Sequence, residues 1–442
     1  MEQQHIYTSE HLLEAYRRVR LGKRTKPATL LYDFWLERNV ADLQHMLKNN
    51  MYKPFPYKYF IVTDPKKRHI AAPHFRDRIV HRALVNIIEP MLDKQFIHDS
   101  YACRKGKGTH YGLTRVKRFL MAARCTYGKD TPLYFLKCDI EKYFASISWD
   151  ILLSILRKKI TDPYLFHLTE TIITSHKVYK TNGAIHILPQ QVVSVQDRRG
   201  IPIGNLTSQL FANIYLNELD QYVKHTLKVR WYARYMDDFL IIHPDKQHLK
   251  AVRDSIRTFL RERLHLNFHP KKVSIQNVSH GVVFVGYRIF YDHILVRSKT
   301  IQRFQRRLAK RKKLAEAGFI TKEKLQLMRE SFIGHMKHAQ TWNLKQSICP
   351  SDNRNLLKKE RIRSIFEKYY IQKAVYVPDK SDINRVTVPL VVKMSTDTDP
   401  LDILNFVTEL QYLLGKKVII IEHSQMSAEM REKMIVEGKV IC

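Results

Sequence analysis

The stretch RYMDDFLII, residues 234–242, sets two adjacent carboxylates, Asp237 and Asp238, in a run of aromatic and aliphatic residues. Aspartate is depleted in strands, and neighbouring carboxylates repel each other. Yet Tyr235 and Met236 before the pair, and Phe239, Leu240, Ile241 and Ile242 after it, have the composition of buried strand. One reading is a tight turn between two strands, because aspartate tolerates left-handed backbone and forms turns well. The other is a ligand that offsets the repulsion, and that reading requires partners for the two carboxylates elsewhere in the chain.

Charge narrows the choice of ligand. The 442 residues carry a formal net charge of +34, with 44% hydrophobic and 27% charged residues, as in a folded globular protein. Residues 1–350 hold 61 Lys and Arg against 29 Asp and Glu, whereas residues 351–442 hold 15 against 13. An excess so lopsided repels itself unless a polyanion is bound, so the first 350 residues are expected to bind one. The basic residues are spread along the chain and not confined to one amphipathic helix, which argues against a membrane surface. Cys103, Cys125, Cys138, Cys349 and Cys442 lie far apart without a CxxC pair, which predicts a reducing compartment and no structural zinc. With no apolar signal core at the N-terminus and no run of 18 apolar residues, a cytoplasmic protein is expected.

Apolar spacing predicts helices over 8–20, 30–47, 75–92, 110–123, 149–159, 163–175, 206–227 and 246–263. Strand-like stretches occupy 57–73, the start of 132–148, and the neighbourhoods of 272–276, 282–290 and 293–297, with a hairpin at 177–195. Two strongly basic helices, 299–316 and 321–340, follow. The tail alternates strand (TVPLVVKM), helix (PLDILNFVTELQYLL), strand (KKVIIIE) and helix (SAEMREKMIV).

A third acid, Asp139 in LKCDIEKYF, also stands in a strand setting. Three carboxylates from two strands form the all-oxygen donor set that Mg²⁺ prefers, and a divalent ion compensates the repulsion between Asp237 and Asp238. A basic chain with such a site reads as a nucleic-acid polymerase or nuclease, since paired Mg²⁺ ions serve in-line phosphoryl transfer.

LKCDIEKYF resembles the first palm motif of reverse transcriptases, and RYMDDFLII, with its YMDD core, their metal-binding hairpin. DPKKRHIAAPHFRDRIVHRAL resembles the fingers segment, GIPIGNLTSQLFANIYLNELD the nucleotide-pocket helix, LNFHPKKVSI the lysine motif and VVFVGYRIF the primer-grip hairpin, all in the family's order. The resemblance implies an α+β right-hand polymerase: an N-terminal helical segment over 1–50, fingers and palm over 51–297, a basic helical thumb over 298–345, and a small α/β-like extension over 346–442. It implies a metal set of Asp139, the neighbouring Ile140, Asp237 and Asp238, holding two Mg²⁺ ions. Lys272, next to Lys271, resembles the lysine that protonates pyrophosphate. Lys66 and Arg68, with Arg76 and Arg78, resemble cations that hold a triphosphate, while Gly204, Ser208 and Gln209 match positions beside the nascent base pair. Phe144 matches the aromatic gate that clashes with a ribose 2′-hydroxyl, which implies dNTP substrates; the bland alternative is an ordinary core ring.

Ile203 and Gln209 depart from the intron-type pattern toward diversity-generating retroelement enzymes and related bacterial unknown-group enzymes, several of which act in phage defence. DSYACRKGKGTH and SFIGHMKHAQTWNL resemble the same branch, and no maturase or HNH region is recognised. The nearly neutral extension tilts the reading toward defence, with an RNA template in the form of a structured noncoding RNA, a cDNA product, and self-association or an accessory protein as further partners. In that extension His423 and Ser424 are read as surface residues, not a catalytic dyad. A mutagenic diversity-generating enzyme, an RNA polymerase or untemplated transferase on the same palm, and a catalytically idle RNA-binding scaffold are the alternatives. Intact Asp139, Asp237 and Asp238 argue against the last.

Overall fold

The computed structural model describes residues 6–63, 66–175 and 198–341, and beyond them only 364–366, 368, 373–376, 387–393, 400–414, 417–422 and 439–440. The hairpin expected at 177–195, the His423–Ser424 pair and the helix expected at 427–436 lie outside the described residues. The chain divides into two compact units, Met1–Arg303 with His338–Gln340, and Phe304–Lys337 with Thr341–Cys442.

The first unit opens with α1 (Ser9–Arg20), whose Leu12, Ala15, Tyr16 and Val19 are buried on one face. The single helix expected over 30–47 is two helices, α2 (Pro27–Phe34) and α3 (Leu36–Lys48), broken at Trp35. The break is held by side chains: Asn39 donates to the Tyr32 carbonyl at 3.0 Å, and Asp33 accepts from Tyr16 and from Arg20 of α1. Pro27, at the first turn, starts α2 earlier than apolar spacing suggests. Strands β1 (Lys58–Val62) and β2 (Arg68–Ala72) form an antiparallel hairpin. Helices α4 (Phe75–Asp93) and α5 (Thr109–Tyr127) follow.

Next come β3 (Tyr134–Asp139), the short α6 (Tyr143–Ser146), α7 (Trp149–Arg157) and α8 (Pro163–Thr174), the last capped by Asp162. The helix expected over 206–227 is α9 (Leu206–Gln221) continued by a π-helical turn, Tyr222–Thr226. After β4 (Trp231–Tyr235) and β5 (Asp238–His243) runs α10 (Lys246–Arg263), whose Phe259 stacks on Tyr222 with ring centroids 4.3 Å apart.

With β6 (Ser274–Asn277) these strands make an antiparallel sheet of order β4-β5-β3-β6. Side chains alternate across it. Leu136, Cys138, Phe239 and Ile241 are buried in the main core with apolar residues of α4, α9 and α10. The opposite face carries Lys137, Asp139 and Asp238. The stretch expected as one strand over 282–290 is a hairpin, β7 (Val282–Phe284) and β8 (Tyr287–Ile289), joined to β9 (Ile294–Val296) in a three-stranded sheet. Val285 and Gly286 both have positive φ at its tip, 43° and 93°, as a two-residue turn matched to strand twist demands.

Residues 304–316 of α11 (Ser298–Glu316) belong to the second unit with α12 (Lys322–Met336), and Phe304 stacks on Phe332 at 3.8 Å. The same unit holds β10 (Lys373–Tyr376), β11 (Thr387–Lys393), α13 (Pro400–Leu414), β12 (Lys417–Glu422) and β13 (Lys439–Val440). Its sheet has the order β12-β11-β10-β13, with β11 and β12 parallel and connected through α13. Among the described residues no helix is long and apolar enough to cross a membrane.

Candidate active site

Met236 and Asp237 are the two-residue turn between β4 and β5, and Asp238 is the first residue of β5, paired with Tyr235. The turn and the acid cluster are therefore one feature and not competing explanations. Asp238 lies directly across the sheet from Asp139, the last residue of β3. Like charges facing each other across strands destabilise a sheet, and here the turn brings a third beside them. Burial, then the charge of Asp139, pushes the Asp237 carboxyl above the ordinary carboxylate range. Asp238 is pushed up by burial, against the opposing pull of Lys137.

Two lysines answer the acids. Lys137 Nζ lies 2.5 Å from Asp238 Oδ1, and Lys272 Nζ lies 2.7 Å from Asp139 Oδ1. Lys137 lies two residues before Asp139 on one strand face of β3, and its partner in β6 is Ser274. Lys272, whose amide donates to the His269 carbonyl at 3.1 Å, comes from the turn just before β6. A bond from the His269 amide to the Asp139 carbonyl, at 2.8 Å, fixes the approach of the lysine-bearing segment. Ile140 is buried and forms an isolated bridge with Phe268.

The remaining expected site residues fall around this cluster in different states. Lys66 and Arg68 are exposed on the β1–β2 hairpin. Arg76 is occupied: it binds Asp77 and the Lys53 carbonyl and lies 3.8 Å over the Phe55 ring. Arg78 donates to the Pro73 carbonyl at 3.0 Å. Phe144 packs edge-on against Tyr143, and its carbonyl accepts from the Ile201 amide at 2.8 Å, tying α6 to the segment before α9. Gly204 has φ +125° and sits where a Cβ would meet Ile70 Cγ2 at 3.0 Å and the Ala71 carbonyl at 3.2 Å. Ala71 in turn donates to the Ile203 carbonyl, so the loop lies tight against β2. Ser208 is buried within α9, whereas Gln209 is exposed and accepts from the Cys103 thiol at 3.4 Å.

Sequence reasoning missed Lys137 and Arg234. Lys137 lies two residues before Asp139, and period-2 alternation alone would have placed it on the carboxylate face. Arg234, the first residue of RYMDDFLII, is fully buried with Asp220, its Nη2 lying 2.6 Å from Asp220 Oδ2. No sequence signal announces that partner in α9.

Among the described residues no group of three His, Cys, Asp or Glu side chains converges to hold a metal ion, and Asp139 and Asp238 are each bound to a lysine. The donor chemistry nonetheless fits a hard divalent cation. The acids are all-oxygen donors; burial raises Asp237 and Asp238, the charge of Asp139 adds to it, and a dication relieves that charge crowding.

A family model described as reverse transcriptase (RNA-dependent DNA polymerase) matches residues 63–289, a span that holds β2 to β8 and all three acids. The chain belongs to the reverse transcriptase family. As a reverse transcriptase it has the expected α+β right-hand polymerase fold, and the matched span contains the whole β4-β5-β3-β6 sheet with its acids. Curated relatives include Protein YkfC of Escherichia coli (strain K12), 28% identical over 281 residues, 56% of this chain and 70% of that protein. Another is the group II intron-encoded protein LtrA of Lactococcus lactis subsp. cremoris, 23% identical over 61% of this chain and 52% of its own length. The reverse transcriptase thus spans about half of that intron-encoded relative. Among solved structures, apo telomerase from Candida tropicalis is 12% identical with a TM-score of 0.42, covering 62% of this chain and 55% of that one. A likeness of that size adds nothing to the assignment.

Proposed function

We propose that this reverse transcriptase is an active, Mg²⁺-dependent RNA-directed DNA polymerase. The observation that carries the proposal is the cross-strand pairing of Asp139 with Asp238 around a turn that bears Asp237. Asp139, Asp237 and Asp238, with the Ile140 carbonyl beside them, would hold the ions. When bound, a pair of Mg²⁺ ions activates a primer 3′-hydroxyl and neutralises charge on the leaving pyrophosphate. The exposed cations Lys66 and Arg68 receive the triphosphate. Arg76, bound to Asp77 and stacked on Phe55, maintains the fingers instead, and Arg78 supports its own helix start. Phe144 underlies the sugar, and Gly204, Ser208 and Gln209 shape the floor beneath the base pair. Lys272 Nζ holds the proton that the departing pyrophosphate takes up.

The domain assignment follows: an N-terminal helical segment to about residue 50, fingers and palm to about residue 297, a basic thumb over 298–345, and an extension over 346–442 that packs on the thumb, holds RNA or mediates self-association. The biological role supported best is bacterial anti-phage defence, with the enzyme working in the cytoplasm on its own structured noncoding RNA. The pocket-helix residues Ile203 and Gln209, together with the nearly neutral α/β extension, support it. Ile203 and Gln209 also suit a mutagenic diversity-generating enzyme, the second reading.

The test is to purify the protein from its host with its bound nucleic acid, add dNTPs and Mg²⁺, and sequence the RNA and any cDNA, with Asp237→Ala/Asp238→Ala as control. One dominant noncoding RNA and acid-dependent cDNA support the defence reading. Adenine-directed errors copied from a repeat beside a target gene support diversity generation. No acid-dependent cDNA overturns the polymerase and leaves an RNA-binding scaffold.

A further inference from the structure

Arg234 presents an energetic puzzle. Its guanidinium and the Asp220 carboxylate are both fully buried, joined by Nε to Oδ1 at 2.7 Å and Nη2 to Oδ2 at 2.6 Å. A buried pair of this kind is often no more stabilising than apolar side chains of the same volume, so stability alone does not account for it. What apolar residues cannot supply is the third arm. Nη1 reaches Asn213 Oδ1 at 3.1 Å and the carbonyl of Met236 at 3.2 Å.

That carbonyl belongs to the peptide unit between Met236 and Asp237. The same unit contains the Asp237 nitrogen and ends at the Asp237 Cα. One flat peptide therefore joins the buried guanidinium to the acid, and fixing its carbonyl end fixes the plane from which Asp237 projects. The unit needs holding, because Met236 has φ +54°, a left-handed conformation that a non-glycine residue rarely adopts. The Arg234 backbone is held as firmly, its amide donating to the Asp99 carbonyl at 3.0 Å and its carbonyl accepting from the Tyr101 amide at 3.1 Å.

We infer that Arg234 is a positioning residue for Asp237, a buried clamp that transmits the rigidity of α9 to the catalytic turn through the Met236 carbonyl. The inference rests on the polymerase reading for its effect on turnover, but not for its effect on the turn. The planar fork is what the role demands: a guanidinium binds a carboxylate with two nitrogens and still has a third direction free, and an ammonium does not hold that geometry.

The experiment compares wild-type protein with Arg234→Lys and with the apolar triple variant Arg234→Met/Asp220→Leu/Tyr232→Phe, which removes the charge pair and the Tyr232 hydroxyl bound to it. Three measurements are made: steady-state primer extension, Mn²⁺ binding by electron paramagnetic resonance, and amide hydrogen exchange over residues 231–243. In folded variants, turnover falls about 10- to 100-fold with the dNTP KM unchanged, Mn²⁺ binds more weakly by a similar factor, and exchange quickens at the turn but not in α9. Wild-type turnover, Mn²⁺ affinity and exchange in either folded variant overturn the inference. If neither variant folds, Arg234 is a folding anchor and the positioning role falls. A wild-type protein that extends no primer refutes the polymerase reading alone, since exchange and Mn²⁺ binding still judge the clamp.

Discussion

At Asp237, burial and the charge of Asp139 both favour the protonated acid in the folded chain, so the native pKa lies above the unfolded one. Stability from such a group is complete below the unfolded carboxylate pKa, near ~3.9, and is lost as pH rises through the higher native value. Asp237→Asn, which never ionises, is therefore expected to melt higher than wild type at neutral pH in EDTA. The difference should close as pH falls to about 4, while polymerase activity is abolished. Thermal melts between pH 4 and 8 check this, and an equal or lower melting point for the variant at neutral pH would refute it. At Phe144 the expected outcome concerns substrate choice: Phe144→Ala gains ribonucleotide incorporation, read by primer extension with rNTPs, and no gain makes the ring ordinary packing. The acids were legible in the sequence because a carboxylate among β-branched and aromatic neighbours violates local preference. Lys137 and Arg234 drew no notice, because a lysine in a strand and an arginine before a tyrosine violate no local preference; alternation puts Lys137 on the face of Asp139, but only the fold shows the Asp220 partner of Arg234.

The elements around the site tolerate backbone geometry that side chains ordinarily avoid. Gly204→Ala would place a methyl 3.0 Å from Ile70 Cγ2 at φ +125°, so a loss of roughly 1–3 kcal/mol is expected, with a raised dNTP KM as the loop lifts from β2. Denaturant titration and steady-state kinetics measure both, and unchanged values would deny the close approach. At the β7–β8 tip, Val285 has φ +43°, strained for a β-branched residue. Val285→Asn should raise the melting temperature, because asparagine accepts that conformation, and a fall would refute the strain. Helix and strand periods located most elements within a few residues. They failed where side chains cut across the period: at Trp35, where Asn39 binds across the break and Asp33 is tied to α1, and at Tyr222, where stacking on Phe259 accompanies the π-helical turn. They failed as well at 282–290, where a Val-Gly tip divided what composition alone reads as one strand.

Across the whole molecule, the +34 charge predicts nucleic-acid affinity that weakens steeply with salt. Arg306, Arg307 and Lys310 are exposed on α11, a helix with no acid before Glu316. Their joint replacement by Gln is expected to weaken template–primer binding alike for all sequences and to flatten the log–log salt slope by about one unit for each phosphate no longer neutralised. Fluorescence anisotropy across a salt series tests this, and an unaltered slope would remove α11 from the interface. The central sheet carries one more consequence, in Cys138. Its thiol is fully buried on the core side of β3, immediately before Asp139, and burial pushes its pKa far up, whereas Cys103 and Cys125 are exposed. Of the cysteines in the described residues, a thiol reagent added to the folded protein reaches Cys103 and Cys125 directly and must wait for Cys138 until the sheet opens. The delay is a stopwatch placed by the chain itself one residue from the acid cluster, and it reports how often the central sheet breathes.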